Sequence, residues 1–339
     1  MIFNTKEAQI FLKQTLKNNL PVLLTGAPGV AKTSIIKQVA LHLNYKLFIS
    51  HPVLEDPTDL KGLPFANENR AEWLLYGQTF DIFNCADPAV WLIDDLGQAS
   101  PSVQAAYMQL LLERSLSGRQ LPENIRMIAC TNRRKDKAGV TGILEPVKSR
   151  FVSIIEVEAC IDCWSEWAIG ANIHELIIGF LRFRPTFLSD FLPSADLTNT
   201  PTPRTWQHAS QILQLDLPQS IKERALIGAV GEHAANELLA FERLKDIMPD
   251  LRQILSGQLD LERCCAYPLS VLYAICTALV VRSEPEHVNN VMRYAEALSD
   301  VNCDMTTVLI KDLIAKHGDH VKNTSVYSQI AAKGILKGF

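Results

Sequence analysis

The stretch Leu23–Ile36, LLTGAPGVAKTSII, constrains the fold more than any other part of the chain. A short apolar run, Pro21–Leu24, leads into it. Thr33–Leu43 follows with apolar residues at helical spacing: Ile35, Ile36, Val39, Ala40 and Leu43. A glycine-bearing loop between a buried-type strand and a helix start lets backbone N–H groups and the helix dipole surround a phosphate. The segment Gly26, Ala27, Pro28, Gly29, Val30, Ala31, Lys32, Thr33, Ser34 fits the pattern G-x-x-x-x-G-K-[ST], except that alanine stands at the last glycine. Ala31 is expected at the mouth of the helix, at negative φ, where a methyl group costs little. Lys32 would reach the β- and γ-phosphates of a nucleotide, and Thr33 would set its hydroxyl on Mg²⁺. The alternative is a plain strand–turn–helix, which would need no further parts elsewhere.

Further parts are present, in an order that a nucleotide-hydrolysing machine requires. Val90–Ser100, VWLIDDLGQAS, is an apolar run that ends in two carboxylates. Asp94 would hold Mg²⁺ through water, and Asp95 would orient or deprotonate the attacking water. Aspartate is one methylene shorter than the glutamate common at this place, so the water must sit closer or hydrolysis slows. Ser100-Pro101 then reads as an N-cap and first turn. Ile125–Arg134, IRMIACTNRR, is a second apolar run with Asn132 at its end. In a parallel sheet Asn132 would stand beside Asp94 and Asp95 and could hydrogen-bond the γ-phosphate or the water. Arg150 comes just before the last core strand, where a fixed guanidinium could reach a neighbouring subunit's γ-phosphate, with Lys148 close by as a rival. Arg204, in TPTPRTW, opens a helix in the later part of the chain, and Trp206 beside it reads as core.

The order GAPGVAKT, LIDDLGQAS, ACTN, SRF, TPR resembles an AAA+ ATPase, most closely the MoxR branch with its phage- and bacterial-type relatives. Alanine in place of the last loop glycine is common in that branch. His51–Pro64 and Leu110–Ile125 resemble it as well, and the helical tail is similar to the lid and C-terminal helices of such proteins. The resemblance implies ATP and Mg²⁺ as bound groups and a homo-oligomeric ring, usually a hexamer, with nucleotide sites between subunits. It implies sensor roles for Asn132 and Arg204 and a finger role for Arg150. It also implies chaperone-like remodelling or activation of a protein partner, often one carrying a von Willebrand factor A domain.

The fold expected is α/β: a P-loop core with a parallel five-stranded sheet, an all-α lid, and a C-terminal helical region. Candidate strands are Val22–Leu24, Lys46–Ile49, Val90–Ile93, Ile125–Ala129 and Val152–Val157. The boundaries expected are 1–158 for the nucleotide-binding core, 159–250 for the lid and 251–339 for the helical tail. A chain of 339 residues with 47% hydrophobic and 21% charged content has ample core for such units. The net charge of −4 argues against a nucleic-acid partner. Arg133–Lys137, RRKDK, is the best support for the rival reading, a nucleic-acid motor or restriction- or defence-type NTPase. A third reading, a slowly hydrolysing nucleotide-gated scaffold, follows from Asp95.

The longest apolar stretch, Leu269–Val281, is shorter than the roughly 20 residues that span a bilayer, and the N-terminus has the face of an amphipathic helix rather than a leader. A cytoplasmic location without membrane contact is therefore expected. Cys160 and Cys163 lack a second ligand pair at metal-site spacing, so neither a structural metal nor a disulfide is expected. Phe65–Gly77 reads as a hairpin, either a reach toward a client or a plain surface feature.

Overall fold

The structure, a computed structural model, describes residues 1–67, 70–136, 139–140, 142–193, 197–258 and 265–335. The tip of the hairpin and Lys137 of the basic run thus lie outside the described residues, as do part of Pro193–Arg204, a Pro/Thr-rich stretch that reads as a loop, and Cys264, which could not easily bridge its neighbour Cys265. The chain divides into two compact units, one formed by Met1–Cys160 with Phe191–Ala195, the other by Ile161–Asp190 with Asp196–Phe339.

In the first unit the elements run β1 (Ile2–Phe3), α1 (Thr5–Lys17), β2 (Val22–Gly26), α2 (Lys32–His42), β3 (Lys46–Ser50), α3 (Pro57–Lys61), β4 (Leu63–Asn67), β5 (Arg70–Leu74) and α4 (Gly77–Phe83). They continue with β6 (Ala89–Ile93), α5 (Pro101–Glu113), β7 (Ser115–Leu116), β8 (Arg119–Gln120), β9 (Ile125–Asn132), α6 (Glu145–Lys148) and β10 (Ser153–Val157). The main sheet has the order β1-β10-β2-β9-β6-β3. Every pairing in it is parallel.

Why the strand sequences are almost continuously apolar follows from what covers the sheet. Val22, Leu24, Val90, Leu92, Ile128 and Ile155 face a core built with Leu12 and Leu16 of α1 and Ile35, Ile36 and Val39 of α2. The alternate residues Leu23, Trp91, Ile93, Met127 and Ala129 face a second core with Val103, Tyr107 and Leu110 of α5. A parallel sheet buried on both faces has no polar face to alternate with.

The expected parallel sheet is present, but it has six strands rather than five. Ile2–Phe3 adds an edge strand to β10, with the Glu156 N–H donating to the Met1 carbonyl (3.0 Å) and the Glu158 N–H to that of Phe3 (3.0 Å). Two residues carry no readable periodicity, and only the open edge of β10 makes them a strand. Asn4 then caps α1 in a reciprocal pair with Glu7. The hairpin expected at Phe65–Gly77 is β4–β5, antiparallel with Leu63 opposite Leu74 and Phe65 opposite Glu72.

In the second unit the helices run α7 (Ile161–Gly170), α8 (Glu175–Phe183), α9 (Pro203–Gln214), α10 (Gln219–Val230), α11 (Glu232–Glu242), α12 (Leu251–Ser256) and α13 (Leu269–Arg282). After α13 come α14 (Val288–Ser299), α15 (Cys303–His317), α16 (Asp319–Lys322) and α17 (Ser325–Ala332). The apolar stretch Leu269–Val281 is a packed helix, with Val271, Ile275, Leu279 and Val280 fully enclosed. Trp206 is core as expected: it is buried against Phe180, and its indole N–H donates to the Phe187 carbonyl (2.7 Å). A buried, two-point ion pair of Arg182 with Asp312 ties α8 to α15. Among the described residues, no helix is long and apolar enough to cross a membrane.

Candidate nucleotide site

Register, rather than proximity in sequence, gathers the site. Gly26 at the end of β2 lies opposite Asn132 at the end of β9, and Ile93 of β6 lies opposite Ala129. The carboxyl ends of β2, β6 and β9 therefore open on one edge, where open α/β sheets hold their ligands.

The loop between β2 and α2 has the backbone of an anion cradle. Gly29 (φ 75°) and Ala31 (φ 77°) are both left-handed, a conformation that turns successive N–H groups inward. Ala31 is the N-cap of α2 and offers no side-chain cap, so the N-cap residue does not satisfy the first-turn N–H groups. Gly26 is needed for a different reason. A Cβ there would come within 2.6 Å of the Val157 carbonyl oxygen, so the loop start can lie against β10 only without a side chain.

The backbone at Ala31 corrects the expectation of a negative φ. The chain must turn tightly from the end of β2 into the first turn of α2, and that turn overrides the alanine preference, at a cost of about 1–2 kcal/mol for an L-residue. Ala31→Gly is therefore expected to stabilise the protein, by about 1 kcal/mol after the greater unfolded-state freedom of glycine is counted. A calorimetric Tm at or below that of the wild type would contradict this.

Lys32 is buried, only 7% exposed. Its ammonium donates to the carbonyls of Gly26 (3.0 Å) and Ala27 (3.0 Å) and to Asn132 Oδ1 (2.8 Å). Burial pulls its pKa below the ordinary lysine value, with Asp95 and Asp94 among the charges acting in the opposite direction. The Asn132 amide reaches on to Asp95: Nδ2 donates to Oδ1 at 3.2 Å. Thr33 Oγ1 donates to Asp94 Oδ2 (2.8 Å), and the Asp95 N–H donates to Asp94 Oδ1 (3.2 Å). Asp95 itself has a left-handed backbone (φ 58°), which aspartate tolerates better than most residues.

These hydrogen bonds join Lys32, Thr33, Asp94, Asp95 and Asn132 in one network, and none of them is made by Arg150 or Arg204. Arg150 follows α6, its N–H bonded to the Val147 carbonyl (3.1 Å), and its Nε is buried without a hydrogen-bond partner among the described residues. Lys148 is paired with Glu145 on its own helix. Arg204 belongs to the second unit and stands exposed in the first turn of α9, beyond the Thr202 cap. Arg133 is engaged on two sides, with Asp136 (2.8 and 2.9 Å) and with Glu156 (2.8 Å). The first arginine of the RRKDK run is thus paired within its own unit.

Gln104 went unnoticed in the sequence. It lies on α5 beside Val103 and Tyr107, a polar residue inside an apolar stripe, and it is 1% exposed. That interruption of the helical pattern was the available signal.

Residues 21–151 match the family model described as the AAA domain, dynein-related subfamily. The fold of the first unit, its parallel sheet with flanking helices and phosphate loop, is accordingly the P-loop AAA fold, in a chain whose second unit is helical. The chain is also similar to the Holliday junction branch migration motor RuvB of Thermotoga maritima, at 15% identity over 81% of this chain and 80% of that one, TM-score 0.41. A second likeness is to NtrX from Brucella abortus in complex with ADP, at 12% identity over 97% and 68% of the two chains, TM-score 0.42. Both are distant. No curated protein matches the sequence.

Proposed function

We propose that the chain binds ATP with Mg²⁺ at the β2–β6–β9 edge and hydrolyses it. In this reading it works as a ring, of six subunits on the MoxR resemblance, that remodels or activates a protein partner in the cytoplasm. A protein with a von Willebrand factor A domain is the partner the same resemblance favours. The observation that carries the reading is the joined network: a buried lysine and a hydroxyl from the loop meet two strand-end carboxylates and an amide.

The residues suit the groups they would hold. The loop supplies inward N–H groups and a desolvated ammonium, suited to phosphate. Thr33 and Asp94 supply a hydroxyl and a carboxylate side by side, the hard oxygen pair that Mg²⁺ takes. Bound there, the ion would offset phosphate charge. Lys32 would exchange its carbonyl partners for phosphate oxygens. Asp95 would take the proton of the attacking water, and Asn132 would hold that water or a phosphate oxygen. Arg150 would act on the neighbouring subunit's nucleotide, and Arg204 would report nucleotide state to the helical unit.

The engagement of Arg133 with Asp136 and Glu156 weighs against the nucleic-acid reading. Turnover unaffected by single- or double-stranded DNA is the corresponding expectation. Lys32→Ala tests the site itself. Losing a charge-assisted contact is expected to weaken ATP binding about 10- to 100-fold. Equal affinities of the variant and the wild type in calorimetric titration would dispose of the phosphate-loop assignment.

A further inference from the structure

We infer that Gln104 is a positioning residue for hydrolysis at the neighbouring subunit's site, clamping the turn after Asp95 to the segment that leads to Arg150. The inference rests on the trans-acting reading of Arg150 given above.

The amide bridges two stretches that are far apart in sequence. Its Nε2 donates to the Ala99 carbonyl (3.1 Å) and to the Gly142 carbonyl (2.9 Å), while its Oε1 accepts the Leu144 N–H (3.0 Å). Both amide hydrogens and the oxygen are thereby used, a combination that only a carboxamide provides. A second tie runs alongside, from the Gly142 N–H to the Gly97 carbonyl (3.4 Å). On one side of the clamp, Gly97 is pressed against β9: a Cβ there would lie 2.3 Å from Thr131 Oγ1, one residue before Asn132. On the other side, Leu144 is the N-cap of α6, Val147 of that helix is fully buried, and the Arg150 N–H bonds to the Val147 carbonyl.

The path from Asp95 to Arg150 is therefore a row of backbone hydrogen bonds with one buried side chain at its centre. Arg150 Nε is buried without a hydrogen-bond partner among the described residues, so no hydrogen bond there fixes the guanidinium, and its place follows the backbone that carries it together with the packing around it. A shift of the Asp95–Ala99 turn would reach Gly142–Leu144 through Gln104. The state of one subunit's own site would thus set the finger it offers to the next.

Gln104→Met keeps the volume and removes the hydrogen bonds. Leu144→Pro removes one of the three bonds of the clamp, the one to Oε1, from the loop side by deleting the N–H, at a φ of −56° that proline accepts. Both are to be made in the full chain, with Tm and assembly measured first. ATP affinity should stay within threefold of wild type and kcat should fall ~10²-fold, the size of effect a 1 Å misplacement causes. Mixed with Asp95→Asn subunits, each should regain activity. The clamp-deficient chain still has an intact Asp95, and its neighbour still has an intact clamp and Arg150.

Should Gln104→Met not fold, Leu144→Pro carries the test. Wild-type kcat in whichever variant folds would overturn the inference. So would a lack of recovery in these mixtures when Arg150→Ala recovers with Asp95→Asn, and in that case the Arg150 reading survives. If Arg150→Ala itself never complements, the reading of Arg150 fails and the clamp's role fails with it.

Discussion

Arg150→Ala is expected to lower kcat by ~10³–10⁵, the range an arginine finger contributes to phosphoryl transfer, while ATP affinity within the subunit stays close to wild type. The hydrogen bonds that join Lys32, Asn132 and Asp95 do not involve the guanidinium, so its loss leaves them in place. Its Nε is buried and has no hydrogen-bond partner among the described residues. That is a cost within one subunit, which a partner supplied from outside would relieve. Lysine at this position carries charge without the planar fork, so Arg150→Lys should rescue weakly. Mixtures of Arg150→Ala with Asp95→Asn subunits should recover activity, since some interfaces then hold both intact groups. Two inactive parents that assemble and exchange subunits, yet never complement, would remove Arg150 from the trans role. Lys148, held by Glu145 and half-buried, would be next. A wild-type chain that stays monomeric with ATP would remove the ring.

Asp95→Asn should lower kcat by ~10²–10⁴, the usual contribution of a positioned general base, and should leave an ATP-loaded protein. The substitution is a clean one for a structural reason. Asparagine, like aspartate, accepts the left-handed backbone found at this position (φ 58°), so the turn need not move. Its Oδ1 can still accept from Asn132 Nδ2, so that the coupling to Lys32 survives while the basic oxygen is lost. Phosphate release measured beside retained nucleotide separates the two quantities. Normal turnover in Asp95→Asn, with turnover abolished in Asp94→Asn, would assign water activation elsewhere.

The sequence by itself determined whatever depends on neighbours along the chain. Apolar runs at Val22–Leu24, Val90–Ile93 and Ile125–Ala129 have one physical solution when each is followed by a helix: a parallel sheet buried on both faces. That sheet brings Gly26, Asp94 and Asn132 to one edge through register alone. Tertiary structure decided what depends on partners distant in sequence. Ile2–Phe3 became a strand because β10 had an open edge. Ala31 took a positive φ in the tight turn that joins β2 to α2, against alanine's own preference. Arg133 looked like part of a basic patch until Asp136 and Glu156 were placed around it. Gln104 passed unnoticed in the sequence, and only the folding of Gly142–Leu144 over its helix face gave its amide distant partners to hold. Periodicity reports which side of an element is buried. It carries no information about which donor meets which acceptor there, because that pairing exists only after the chain has closed on itself.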